Sequence, residues 1–159
     1  MLQNQAQVVP YPAIIPTPRS PHVGQQRIQM RDVLVDHADA ELGAAITEAL
    51  GHRATILAEL RALGGAVADV APDATAWAGR HQEVLAATWT QPLGLAEVDA
   101  SFAPLQALGT GTYGAYSSDT RASAAALAWP GATGARLRRI AEQADPERLF
   151  DRGLVLRRD

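Results

Sequence analysis

Residues 82–90 read Gln82-Glu83-Val84-Leu85-Ala86-Ala87-Thr88-Trp89-Thr90, an apolar and β-branched run that is typical of a strand and is followed by Pro92. Side chains along a strand alternate between two faces, so one face carries Val84, Ala86, Thr88 and Thr90 and the other carries Leu85, Ala87 and Trp89. Both faces are largely apolar. We therefore expect this strand to be covered on both sides.

The segments around this strand predict a mixed fold. Strands are expected at 27–35 and 54–61, and helices at about 39–50, 95–108, 119–128 and 132–144. Asp36 or Asp39 is expected to cap the first helix, and Glu41 to complement its positive end. This order of elements predicts an α+β fold, an antiparallel β-sheet backed by helices.

Proline marks the N-terminal segment as different from the rest. Five of the ten prolines lie in the first 21 residues, where their fixed φ and missing N–H donors disfavour both helix and central strand. We expect residues 1–26 to form an extended, proline-rich arm and residues 27–159 to form one α+β domain.

Composition excludes several classes of chemistry. The 159 residues include no cysteine and no lysine, which rules out disulfides, thiolate metal sites, Schiff-base lysines and phosphate-loop lysines. A net charge of −3 argues against nucleic-acid binding. The four histidines are scattered, so we expect no metal.

Because neither a secretory signal nor a membrane-length apolar run is present, a cytoplasmic location without membrane contact is expected.

One glycine-rich segment resembles a nucleotide-binding motif. Residues 109–114 match G-x-G-x-x-G, but a helical pattern precedes them and no acidic residue follows at the ribose-binding distance, so we interpret 109–118 as a loop. Tyr113 and Tyr116 lie in this loop among glycine and serine, where phenol rings are free to project into a pocket.

Three further segments resemble one enzyme family. They are Glu59-Leu60-Arg61-Ala62-Leu63-Gly64-Gly65-Ala66, Asp73-Ala74-Thr75-Ala76-Trp77-Ala78-Gly79-Arg80 and Asp145-Pro146-Glu147-Arg148-Leu149-Phe150. Together with Tyr113-Gly114-Ala115-Tyr116 they resemble the C-terminal part of the berberine-bridge-enzyme-like, FAD-linked oxidoreductases. The resemblance implies a substrate domain whose sheet covers the ring system of a flavin. The family's FAD-binding domain is not present in this sequence.

The resemblance also implies site residues. Tyr116 and Tyr113 match the family's tyrosines and are expected to be catalytic, while Thr88 and Arg80 are expected to bind substrate. Two positions depart from the family. Ala115 replaces an asparagine, and Thr88 stands where relatives often place a carboxylate, glutamine or tyrosine. Threonine is scarcely ionised near neutral pH and cannot serve there as a general base.

The resemblance implies one function, and the departures from the family pattern leave an alternative open. The first is the substrate domain of an FAD-linked oxidoreductase that oxidises an alcohol, sugar or amine-type small molecule and is inactive alone, with FAD supplied by a flavin-binding partner chain. The alternative is a non-enzymatic interaction or ligand-binding domain that has kept the fold and lost the chemistry. Ala115 and Thr88 favour it. In that case the face that once met the flavin domain would favour a homo-oligomer.

Overall fold

The computed structural model describes residues 8–14 and 27–156. They contain a sheet and four α-helices. The strands are β1 (Gln29–Val35), β2 (Thr55–Ala62), β3 (Val84–Thr90) and β4 (Gly109–Gly111), and the helices are α1 (Ala40–Gly51), α2 (Leu95–Gln106), α3 (Ala122–Ala128) and α4 (Gly131–Ala144). The strands form one antiparallel sheet in the order β2-β3-β1-β4, so the predicted α+β class is confirmed.

The central strand β3 has the two covered faces that its sequence predicts. Val33 of β1 lies opposite Ala86 of β3, and both point toward α1 and α2. We term this side the helix face. Its core is completed by apolar residues of the strands and of both helices, namely Val35, Leu42, Ala45, Ala49, Val84, Phe102 and Leu105.

The opposite side of the sheet carries a smaller apolar layer. Leu34 of β1 and Leu85 and Ala87 of β3 are buried there, with Trp77 and Tyr116 packed against them. We term this side the tyrosine face. Helices α1 and α2 lie on the helix face, so the tyrosine face is left to connecting segments and to α3, whose Leu127 carbonyl lies near Gly111 of β4.

Helix α1 begins as the sequence predicts. The Asp39 carboxylate accepts hydrogen bonds from the backbone N–H groups of Glu41 and Leu42 at 3.0 and 3.1 Å. These bonds satisfy donors that a helix start otherwise leaves free, and Glu41 lies in the positive first turn. Asp39, and not Asp36, is the cap.

The segment 109–118, predicted as a loop, begins with a strand. Gly109–Gly111 form β4, which pairs with the end of β1. A Cβ on Gly109 would stand 1.8 Å from Cγ2 of Val33, so only glycine allows β4 to approach β1 this closely. Three residues are too few to show the alternation that identifies a strand in sequence.

Helix α3 starts three residues later than predicted. Helix α2 continues through Pro104, which the sequence marks as its weak point. Helix α4 buries only Thr133 and Gly134. Of the predicted arm, residues 8–14 are described and contain a short 3-10 helix, Tyr11–Ile14; the other arm residues lie outside the described ranges. In the described ranges no helix has the length and apolar character to span a bilayer.

Candidate functional site

Three aromatic rings form the centre of the candidate site. The rings of Tyr113 and Tyr116 are stacked, with centroids 6.2 Å apart and planes 19° apart. Trp77 meets the Tyr113 ring edge-on at 5.0 Å. Tyr113 keeps 40% of its surface exposed, so the cluster is open to solvent on the tyrosine face. The structure thus brings together the two residues predicted to be catalytic.

Two charged side chains of β2 complete the cluster. Glu59 and Arg61 are two positions apart and therefore point to the same face. The Tyr116 hydroxyl donates to Oε2 of Glu59 at 3.4 Å, and Nε of Arg61 donates to Oε1 of Glu59 at 2.6 Å. The Arg61 guanidinium also lies 4.6 Å from the centroid of the Tyr116 ring, at cation–π distance.

This arrangement places a proton acceptor and a positive charge beside one phenol. The hydrogen bond to Glu59 raises the pKa of Arg61, which therefore stays charged. A carboxylate within hydrogen-bond reach of a tyrosine hydroxyl is placed to accept its proton. The cluster therefore places a phenol, a carboxylate and a guanidinium in contact with one another.

A buried carboxylate fixes the loop that carries the tyrosines. Oδ1 of Asp32 accepts from the Thr112 hydroxyl at 2.8 Å, and Oδ2 accepts from the backbone N–H of Tyr113 at 2.6 Å. Asp32 is only 3% exposed, and burial raises the pKa of its carboxyl to about 6. The two hydrogen bonds act in the opposite direction and stabilise the ionised form.

Arg80, predicted to bind substrate, is buried beneath the segment that connects β2 and β3. Its Nη1 donates to the carbonyl of Val67 at 3.3 Å and its Nη2 to Oγ1 of Thr75 at 2.6 Å. Oγ1 of Thr75 in turn accepts from the backbone N–H of Trp77 at 3.2 Å. Both terminal nitrogens of Arg80 are thus used within the chain, and Thr75 links the Arg80 guanidinium to the backbone of Trp77.

Thr88, the other predicted substrate contact, lies away from the tyrosines. Its side chain shares the helix face with Ala86, is fully buried, and its hydroxyl has no hydrogen-bond partner within residues 8–14 and 27–156. Strand alternation explains this placement, because even-numbered positions of β3 face the helices and odd-numbered positions face the tyrosines. Thr88 therefore has no exposed surface with which to contact a substrate.

The glycine-rich motif is explained by packing. Gly109 and Gly111 belong to β4. A Cβ on Gly114 would stand 2.8 Å from Cδ2 of Leu154. These glycines allow close contacts within the fold, and the segment does not form the strand-to-helix turn that holds a dinucleotide phosphate.

Four functional candidates were not identified from residue chemistry alone. Glu59 and Arg61 belong to a segment that was notable only for the family resemblance, and Trp77 is typical by itself of a core or interface anchor. The two-residue spacing of Glu59 and Arg61 in a predicted strand is the signal that places them on one face. Asp32 carried a different signal, a carboxylate directly before the apolar run Val33-Leu34-Val35 of the predicted strand. In the part of the chain that the structure describes, no three His, Asp or Glu side chains converge as metal ligands would.

Comparison with known proteins finds similar folds among solved structures. No protein-family model and no curated protein matches the chain. Its fold is similar to that of glucooligosaccharide oxidase from Acremonium strictum, with a TM-score of 0.63 and 22% sequence identity over 82% of this chain. The match covers 33% of the oxidase chain, whose FAD is 6-S-cysteinyl and 8α-N1-histidyl linked. The chain therefore has the fold of about a third of an FAD-containing oxidase.

Proposed function

We propose that this chain forms the substrate-binding side of a flavin-dependent oxidoreductase that oxidises an alcohol, sugar or amine-type small molecule. The observation that carries the proposal is the cluster of Tyr113, Tyr116, Glu59 and Arg61 on the open face of the sheet. The fold shared with an FAD-containing oxidase supports the same assignment.

The described residues suit the ring system of a flavin but not the phosphates of FAD. Tyr113 and Leu57 expose aromatic and apolar surface on the tyrosine face, which suits the planar ring system of a flavin. The glycine-rich segment is used in strand packing and offers no cradle for phosphates. We therefore propose that a separate flavin-binding unit, a partner chain, holds FAD and that this chain covers its ring. Bound FAD would supply the hydride acceptor.

The residues of this chain would position the substrate and move one proton. The substrate hydroxyl gives its proton to the oxygen of Tyr116, and the Tyr116 hydroxyl gives its own proton to Oε2 of Glu59. Arg61 stabilises negative charge on the phenol oxygen during this transfer. Tyr113 holds the plane of Tyr116 by stacking. Trp77 and Asp32 fix Tyr113 from its ring edge and from its backbone.

The visible absorption spectrum tests this division of labour. The purified chain is incubated with excess FAD, free flavin is removed, and the spectrum is compared with that of complexes isolated intact from the native host. We expect no flavin band in the chain alone and a flavin band in the complexes, which substrate should bleach under anaerobic conditions. Host complexes that contain neither flavin nor a flavoprotein would contradict the proposal. A near-stoichiometric flavin band in the chain alone would contradict the need for a partner.

One observation favours the alternative of a ligand-binding domain without chemistry. The Glu59 carboxylate is already ion-paired with Arg61 at 2.6 Å, a contact that a purely structural role also explains. Trp77 and the two tyrosines would still offer aromatic surface on which a sugar ring can stack. Calorimetric binding of oligosaccharides to the flavin-free chain, unchanged in Glu59→Gln, would support this function over the first.

A further inference from the structure

Strand β2 forms one edge of the sheet. Among the described residues it pairs only with β3, and its other edge is free. The backbone N–H of Leu63, just beyond the strand, donates to the carbonyl of Glu83 at 2.8 Å. Backbone groups of successive residues point to opposite edges, so odd-numbered residues of β2 face β3. The backbone groups of Ala58, Leu60 and Ala62 therefore point outward.

The free edge is also unusually apolar. Leu60 is 51% exposed and Leu57 45% exposed, and Ile56 is exposed beside them. Proteins usually blunt an exposed edge with proline, lysine, a β-bulge or a very short strand. The bulge of β2 lies between Thr55 and Leu57, before the residues that pair regularly with β3. β2 has eight residues and contains no proline, glycine or lysine. This edge is suited to receive another strand.

We propose that β2 pairs antiparallel with β2 of a second copy of this chain, with Leu60 opposite Leu60 of the second copy. This register places Ala58 opposite Ala62 of the second copy, and the reverse pair follows by symmetry. In each of these pairs the outward backbone groups exchange two hydrogen bonds. The result is one continuous sheet through both copies.

Charge selects this register over its neighbours. With the two Leu60 residues opposed, Glu59 meets Arg61 of the second copy, and Arg61 meets Glu59 of the second copy. These are the positions without backbone hydrogen bonds, where facing side chains lie closest. A shift of two residues in one direction sets Glu59 against Glu59, and a shift in the other sets Arg61 against Arg61. Both shifts oppose like charges, which destabilises strand pairing.

Apolar contacts extend the same complementarity. On the tyrosine face, the register sets the exposed Leu57 opposite Leu63 of the second copy. On the helix face it buries the two Leu60 side chains against each other. The two-fold axis lies perpendicular to the sheet, so both tyrosine clusters open on the same face of the dimer. The proposal rests on the edge alone and does not depend on flavin chemistry.

Charge reversal with sedimentation equilibrium tests the proposal. We expect the wild-type chain to approach twice its monomer mass as concentration rises. Glu59→Arg and Arg61→Glu should each weaken self-association by about tenfold, because each opposes like charges at both symmetric pairs. An equimolar mixture of these two variants should associate again, and the double swap E59R/R61E should also dimerise. Arg152→Glu, a charge reversal at an exposed position outside β2, is the matched control and should associate as the wild type does.

A measurement on the wild type keeps the test independent of variant folding. The amide protons of Ala58, Leu60 and Ala62 should exchange more slowly with solvent as protein concentration rises. A wild-type chain that stays monomeric at every accessible concentration would overturn the proposal. So would a dimer in which these three amides gain no protection, or one that both single reversals leave unchanged.

Discussion

The carboxylate of Asp32 accepts the backbone N–H of Tyr113 at 2.6 Å, a contact that joins residues 81 positions apart. The same carboxylate accepts the hydroxyl of Thr112. One buried group of β1 therefore sets where the loop with both tyrosines leaves the sheet. The ionisation of Asp32 should affect both the stability of the fold and the geometry of the site.

The stability of the chain should fall as pH rises from about 4 to 6. The pKa of Asp32 is raised from 3.8 to about 6, so the folded chain binds this proton more tightly than the unfolded chain does. The stability that this proton supplies is present below the ordinary pKa and is lost as pH rises through about 6. The loss is about 3 kcal/mol at 1.36 kcal/mol per pKa unit. Urea unfolding across this pH range measures it.

The Asp32→Asn variant isolates this effect. Its amide oxygen can accept from Tyr113 and its amide nitrogen can donate to Thr112, so both contacts survive without a titrating group. We expect a flat pH dependence in Asp32→Asn and the wild-type slope in the control Asp69→Asn, which changes an exposed loop residue. Equal slopes in all three proteins would contradict the assignment to Asp32.

Tyr116→Phe should abolish substrate oxidation without unfolding the chain. The variant removes the hydroxyl that reaches Glu59 and keeps the stacked ring. We expect kcat of the flavin-containing complex to fall by about 10²–10⁴, the usual contribution of a positioned acid–base group. KM should change little. Anaerobic flavin reduction by substrate gives the rate directly.

Tyr113→Phe is the matched control for Tyr116→Phe. The hydroxyl of Tyr113 makes no hydrogen bond to another residue within the described ranges, so its loss should leave kcat within a few-fold of wild type. A loss in Tyr113→Phe as large as that in Tyr116→Phe would assign the proton transfer to the other tyrosine.

Two glycine substitutions should shift stability in opposite directions. In Gly109→Ala the new methyl group meets Val33 Cγ2 at 1.8 Å and the backbone oxygen of Leu34 at 2.8 Å. Overpacking of this kind costs about 1–3 kcal/mol. In Gly43→Ala, inside α1, the methyl group meets nothing within 4 Å, and replacing a helical glycine stabilises by about 0.5–1 kcal/mol. Urea midpoints of the two variants check both signs.

Arg80→Ala should loosen the segment between β2 and β3. The variant removes the two hydrogen bonds of the guanidinium to the Val67 carbonyl and the Thr75 hydroxyl, each worth about 0.5–1.5 kcal/mol. Limited proteolysis should then cut residues 65–77 faster than in the wild type. Arg53→Ala is the control, because its ion pair with Glu97 is largely exposed and is worth about 0–1 kcal/mol. Equal rates of cleavage at residues 65–77 in both variants would contradict the role of Arg80 in holding this segment.

Much of the fold was predictable because its signals are local. The alternation in β3 predicted both of its covered faces, and Asp39 followed by Glu41 marked the start of α1. The short strand β4 was not predictable, since its pairing depends on the close approach of Gly109 to Val33 of a distant strand.

The candidate site was predictable only in part, because it is assembled from distant segments. The tyrosines are close in sequence, but their partner Glu59 lies 57 positions before Tyr116. Thr88 shows a different difficulty. Both faces of β3 are apolar, so the sequence could not tell which face meets helices and which meets the site. The family pattern suggests Thr88 as a substrate contact, but in the structure its side chain lies on the face that the helices cover.

Helix α4 buries few residues, so we expect it to have a lower local free energy of unfolding than the rest of the described fold. Only Thr133 and Gly134, both near its start, are buried, whereas α1 and α2 supply side chains to the main core. A helix whose fully buried residues all lie near its start can open at its far end at a small fraction of the global unfolding free energy. Gentle warming should therefore release the C-terminal end of α4 first, while the sheet and the loop with both tyrosines remain native.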